Sequence, residues 1–239
     1  MNSEPLTVLH EEDFETWAYF KLHPEIRWVF NKMEVAMLQN LHAGPAGTAP
    51  IVEGHYVSRP IYNIFGMGIS AKKFFFDKSM TDAMNNHDMM EPGHFWCEWL
   101  NGPHYTIDYR KFDDGSWRCT SYMVGKHYDD TNLTKFKEWT KLNPEQAPHY
   151  LDLPLHPDHR LITAINVEMR QGKILEIHLR LGNDPFDHLP VGTRIVPIWE
   201  DMEALEGVEI MPNLYPDMEL YTAHGKLSNI RSGYMIFRP

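Results

Sequence analysis

Two stretches of the chain, Ile165-Asn166-Val167-Glu168-Met169 and Leu175-Glu176-Ile177-His178-Leu179-Arg180, alternate polar and apolar residues strictly. Side chains of a β-strand point to opposite faces with a period of two, so the pair reads as a hairpin with two distinct faces. Ile165, Val167, Met169, Leu175, Ile177 and Leu179 make a core face, and Asn166, Glu168, Glu176, His178 and Arg180 share the other. Arg170-Gln171-Gly172 fits a three-residue loop with Gly at the left-handed position. That loop sets Asn166 opposite Glu176, with Glu168 one step along. Asn166, Glu168, Glu176 and His178 then converge as ligands for a hard cation. Carboxylates on neighbouring strands repel, and a bound divalent cation removes the repulsion. Magnesium takes oxygen ligands, often one or two carboxylates completed by substrate phosphates. His178 is an unusual magnesium ligand; it favours manganese or binds a substrate phosphate instead. Arg180 either stabilises a transferring phosphoryl group or an acyl phosphate or forms a salt bridge to Glu168 or Glu176. The plain alternative for the whole face is a solvated surface.

Other residues offer matching chemistry. The guanidinium of Arg59 is a planar fork suited to bidentate phosphate binding. Gly66 and Gly68 let backbone N–H groups approach an anion, or form an ordinary turn. Cys97, Glu98, Trp99 and Leu100 offer backbone donors and acceptors to a flat heterocycle between the apolar walls of Trp99 and Leu100, or form a core strand. Cys97 and Cys119 form no disulfide framework and read as packing residues.

The elements that must position these groups are α+β in pattern, without the alternation of βαβ units. Helices are expected over 11–23 and 24–42, the second from the spacing of Trp28, Met33, Met37 and Leu41, ending before Gly44-Pro45-Ala46-Gly47. Strands are expected over 51–58, 72–77, 94–100 and 231–238, and a helix over 81–90. A hairpin is expected from 105–110 and 117–124 around Asp113-Asp114-Gly115. Residues 126–160 read as irregular with a helical patch at 135–142, a length of loop that often carries function. The Pro-rich 190–216 reads as a surface winding.

The 239 residues, 43% hydrophobic and 13% aromatic, suit one globular unit with a sizeable core, or two small lobes. A formal charge of −11 argues against a nucleic-acid surface. No apolar run reaches the ~20 residues of a spanning helix. Met1-Asn2-Ser3-Glu4-Pro5 lacks the features of a secretory signal, so a cytoplasmic protein is expected.

These pieces fall in a telling order: Asn31-Lys32 in the second helix; Tyr56-Val57-Ser58-Arg59-Pro60 before Gly66-Met67-Gly68; the segment from Trp96 through Leu100-Asn101-Gly102-Pro103-His104 to Asp108; then the acidic hairpin. Over roughly 24–182 the chain resembles the ATP-grasp superfamily of carboxylate–amine ligases, and looks closest to phage-associated relatives in which Arg, here Arg59, replaces the second phosphate Lys. The stretch from Trp99 to Thr106 looks like the hinge of D-alanine–D-alanine ligases. The resemblance implies two α+β lobes with nucleotide between them. It divides the chain into a short N-terminal extension (1–30), a first lobe (31–100), a second lobe carrying the metal hairpin (101–190) and a tail (191–239). It implies that Lys32 and Arg59 meet ATP phosphates with Gly66 and Gly68, that Cys97 to Leu100 hold adenine, and that the hairpin holds magnesium. His104 stands where the family usually has a ribose-binding Glu, and His178 where it usually has Asn. The implied reaction is ATP-dependent joining of a carboxylate and an amine, small molecule or peptide, through an acyl phosphate. Because about thirty residues precede Lys32, the substrate site is expected to be reduced, supplied by another subunit of a homo-oligomer or partner, or built from the tail, where Lys226 and Arg231 are candidates to grip a carboxylate.

Two other readings stand beside this one. His156-Pro157-Asp158 with His188 or His224 has the order of a non-haem iron triad, with Arg231 for an oxo-acid; that reading needs a jelly roll of about eight strands. Alternatively the chain is an ATP-grasp-derived binding module or phage structural protein.

Overall fold

The computed structural model describes residues 24–62, 71–86, 89–128, 133, 135–148, 162–182, 186–199, 202–212, 221–222, 225–226 and 231–239. Strands β1 (Ala43–Pro45), β2 (Gly54–Pro60), β3 (Lys72–Phe76) and β4 (His94–Glu98) form a four-stranded antiparallel sheet in the order β1-β4-β2-β3. The next strands are β5 (His104–Lys111), β6 (Trp117–His127), β7 (Phe136–Lys141), β8 (Ala164–Arg170), β9 (Lys173–His178), β10 (Arg194–Trp199) and β11 (Glu209–Pro212). A two-residue pair follows, β12 (Tyr221–Thr222) with β13 (Gly225–Lys226), and β14 (Arg231–Phe237) comes last. The larger sheet is antiparallel in the order β11-β14-β10-β7-β6-β5-β8-β9. Helices are short, and among the described residues none is long and apolar enough to cross a membrane. The α+β expectation holds: two antiparallel sheets with few helices.

The helix expected over 24–42 is two pieces. A 3-10 helix runs Pro24–Phe30 and an α-helix Lys32–Leu38. Asn31 separates them because its backbone is extended and its side chain accepts the Glu34 N–H at 3.0 Å, an N-cap that starts a new helix. The apolar stripe also differs from expectation: Met37 is 55% exposed, while Val35 and Ala36 are buried. The helix expected over 81–90 is Thr81–Asn85. The helix expected over 11–23 lies outside the described residues.

Two stretches expected as a helical patch (135–142) and as a surface winding (190–216) contain strands. Phe136–Lys141 pairs with β6 and β10. The i, i+3 spacing of Phe136 and Trp139 mimics a helix, but burial of Trp139 and Lys141 follows the period of a strand. In the Pro-rich tail, β10 and β11 both pair with β14. β7 reaches β10 only at Arg194 and Ile195, so Pro197, which has no N–H to give, lies beyond that ladder and leaves it intact.

The larger sheet buries both faces. Ile107, Val167, Ile174 and Ile177 pack with Ile26, Val29 and Phe30 on one face. Met123, Trp139, Ile195, Tyr234 and Ile236 pack with Phe186 and Leu189 in another cluster. At Gly233 the strands come so close that an added Cβ would lie 2.7 Å from the Met211 carbonyl oxygen. Gly233→Ala is therefore expected to destabilise the fold by about 1–3 kcal/mol, the usual cost of overpacking. Urea denaturation checks this; an unchanged midpoint would contradict the close β11–β14 pairing.

Candidate metal and nucleotide site

The acidic hairpin forms with a register different from that expected. Its turn is two residues, Gln171 (φ 49°) and Gly172 (φ 71°), as in a type I′ turn. Arg170 thereby becomes a strand residue. Pairing steps from Glu168 opposite Glu176 to Met169 opposite Ile174, leaving Leu175 as a bulge. Ile174 turns into the core where Leu175 was expected, and Leu175 lines a cleft on the other side. Asn166 faces His178, and the two carboxylates stand directly opposite each other.

A divalent cation fits this arrangement. Glu168, Glu176 and His178 each present a ligand atom, all within 4.8 Å of one another. Two carboxylates and an imidazole suit manganese better than magnesium, which prefers an all-oxygen shell. His104 Nε2 donates to Glu168 Oε2 at 3.0 Å, fixing that carboxylate as an outer-shell partner does.

Lys32 completes the cluster. Its backbone N–H bonds to the Ile61 carbonyl at 2.8 Å, tying the helix start to the end of β2. Gln39 clamps the other end of the helix to β9, donating to the Ile174 carbonyl and accepting the Ile174 N–H. The helix so held brings Lys32 Nζ to 2.5 Å from Glu176 Oε2, and His178 Nε2 lies 3.5 Å from Oε1. Burial would raise the Glu176 carboxyl, but the Lys32 ammonium and His178 outweigh it and hold it well below the usual carboxylate range.

A cleft of about 690 Å³, measured with its open mouth, lies between the two sheets. From the smaller sheet and its neighbours it is lined by Lys32, Arg59 and the Cys97, Glu98, Trp99 and Leu100 run; from the larger by His104, Glu168 and Glu176. Arg59 is 9% exposed, its guanidinium 5.1 Å from the Phe95 ring centre. Its buried Nε has no hydrogen-bond partner among the described residues. A buried donor without an acceptor is costly, and an anionic oxygen entering the cleft would satisfy it.

Of the other expected site residues, Asn166 stands beside the cluster, facing His178. Asn166 gives its amide N–H groups to Thr106 Oγ1 and Asp108 Oδ1, both at 2.8 Å. Arg180 was expected to continue the metal face, but β9 ends at His178 and Arg180 Nη1 donates to the Leu181 carbonyl. Arg231 opens β14, five strand steps from β8, roughly 25 Å at ~4.8 Å per step; its guanidinium lies 4.7 Å from the Tyr234 ring. Lys226 has its backbone in β13, and its side chain is outside the described structure. Gly66, Gly68, His156, Asp158 and His224 lie outside the described residues. The iron reading required a jelly roll, which this pair of sheets is not.

Sequence reasoning missed Arg170, which lines the cleft with its guanidinium 5.0 Å from the Trp99 ring. Assigning a two-residue turn would have found it, because Arg170 then follows Glu168 on the same strand face. Burial raises Cys97 to about 11 and Cys119 to about 12, which suits packing rather than nucleophilic roles.

Asp108, paired across the strands with Asn166, is the outlier beside the cluster. Burial pushes its carboxyl up to about 6, although the Gly182 N–H and the Asn166 amide pull it back. The unfolded value is ≈ 3.9, so the folded state binds the proton more tightly. The stability this contributes is complete below about pH 4 and is lost as pH rises through 6. Asp108→Asn keeps the acceptor and removes the charge. It should match wild type near pH 4 and exceed it by about 2–3 kcal/mol at pH 7.5. Urea unfolding at both values checks this; a pH-independent difference would contradict it.

No family model matches the chain and no curated protein matches its sequence. Solved structures do. The N5-carboxyaminoimidazole synthetase of Staphylococcus aureus, complexed with ADP, matches with a TM-score of 0.57 and 8% identity over 90% of this chain and 69% of that one. The carboxyaminoimidazole ribonucleotide synthase of Aspergillus clavatus, complexed with ATP, matches with 0.52 and 10% identity over 92% and 71%. An L-amino acid ligase from Bacillus licheniformis matches with 0.49 and 11% identity over 87% and 66%. The chain thus spans about two thirds of the length of these structures. The chain shares the fold of these two synthetases.

Proposed function

We propose that the protein is an ATP-dependent ligase joining a carboxylate to an amine. One observation carries this reading: a single cleft gathers three buried cations, Lys32, Arg59 and Arg170, and the carboxylates of a three-donor cation cluster, Glu168 and Glu176. Polyphosphate recognition needs that combination of fixed positive charge and carboxylates able to hold a bridging metal. The fold supports the reading, since similar structures were solved with ADP and ATP.

In this reading adenine lies along the Cys97 to Leu100 run, the ribose near His104, and the phosphates at Lys32 and Arg59. Glu168, Glu176 and His178 would hold a divalent metal, which would supply charge to neutralise the phosphates. The substrate carboxylate attacks the γ-phosphorus, the bond to the β-phosphate oxygen breaks, and ADP leaves. The amine nitrogen then attacks the acyl carbon, inorganic phosphate departs, and the nitrogen loses a proton to solvent. The chain contributes position and charge rather than a nucleophile. Lys226 and Arg231 are the candidates for the acceptor site, or another subunit supplies that site.

Incubating the protein with ATP, manganese or magnesium, and pools of carboxylates and amines tests the reaction. Phosphate release that requires one member of each pool is expected. Release that ignores both pools would contradict ligation.

A further inference from the structure

The carboxylate best placed to hold a metal is already engaged. Glu176 meets the Lys32 ammonium at Oε2 and His178 at Oε1, and the Lys32 and Glu176 side chains are only 8% and 7% exposed. A divalent cation held by Glu168, Glu176 and His178 would lie within a few ångströms of that ammonium. Like charges so close repel strongly where water is scarce. The ammonium and the metal therefore compete for one carboxylate.

Lys32 has an alternative partner within reach only when the cleft is filled. Its backbone N–H is bonded to the Ile61 carbonyl, two residues beyond Arg59, and both side chains line the one cleft in which the buried Arg59 Nε lacks an acceptor. An anion satisfying Arg59 would draw the Lys32 ammonium as well.

We propose that Lys32 gates the metal seat: it occupies the cation's place on Glu176 until a polyphosphate bound at Arg59 pulls it away, so the metal enters with the nucleotide and not before it. The gate rests on the nucleotide-and-metal reading above. Its consequence is strong reciprocal coupling, each ligand raising the affinity for the other.

Binding of Mn2+, followed by loss of the paramagnetic signal of the free ion, tests this without turnover. Wild type alone should bind Mn2+ weakly. Lys32→Met alone should bind it roughly 10- to 100-fold more tightly, and adding Glu176→Gln to that variant should abolish the gain. With a non-hydrolysable ATP analogue, wild type should gain a similar factor after correction for the metal–analogue complex in buffer. If Lys32→Met does not fold, that wild-type coupling decides alone. Equal Mn2+ affinity with and without the analogue, or no gain in a folded Lys32→Met, would overturn the gate while leaving the ligase reading intact. No Mn2+ binding even with the analogue would overturn both.

Discussion

Lys32→Met should cost about 3–5 kcal/mol of folding stability at pH 7, the usual penalty for stranding one member of a buried ion pair. The loss comes less from the missing attraction than from what remains, a Glu176 carboxylate 5% exposed with its neutralising charge removed. The effect should depend on pH in a defined direction. In wild type the Glu176 carboxyl is held low, so its contribution is complete above the unfolded value of ≈ 4.3 and is lost as pH falls through the folded one. In the variant the carboxyl takes up a proton on acidification and the penalty shrinks, so the two proteins converge toward pH 4. Lys32→Met combined with Glu176→Gln should recover most of the loss. Urea denaturation of the three variants measures all of this. A single variant as stable as wild type at pH 7 would mean that Lys32 does not hold Glu176 in solution.

Glu168→Gln separates function from folding. Glu168 is less buried than Glu176, with a side chain 27% exposed, and its described partner is His104. Gln keeps an acceptor for that imidazole and removes only the charge, so stability should change by about 1 kcal/mol, the usual scale for altering one hydrogen bond. Loss of one carboxylate from the cation cluster should nevertheless lower ATP-dependent phosphate release on the order of 10²–10³-fold, the scale for removing one preorganised electrostatic contact. Parallel melting curves and phosphate assays decide the point. Activity within a factor of two of wild type would place the metal elsewhere.

Much of this arrangement was legible because it obeys a period of two. Alternation alone puts Glu168, Glu176 and His178 on one face of a hairpin and Ile165, Val167 and Ile177 on the other, and the structure keeps that division. Register was not legible. Gln171 adopts a positive φ that an Arg170-Gln171-Gly172 loop did not anticipate, and the bulge at Leu175 compensates one turn geometry with another. Strands β7 and β10 were hidden because their pairing is non-local. Nothing within Phe136–Lys141 distinguishes a strand from a helix until β6 and β10 lie beside it, and Pro197 argues against a strand until the short reach of β7 is known. The meeting of Lys32 with Glu176 spans most of the chain and has no local signature. It depends on Gln39 clamping the helix to β9, an interaction between a side chain and a backbone that no spacing rule predicts.

The most direct test of a nucleotide-bridging cation in the cleft is thermal and urea denaturation of the wild-type chain with ATP in the presence and absence of Mn2+ or Mg2+. At ligand concentrations ~100 times the dissociation constant, ATP with the metal should stabilise the fold by about 2.7 kcal/mol, and either ligand alone by much less. An unchanged stability with ATP and both metals would contradict the account.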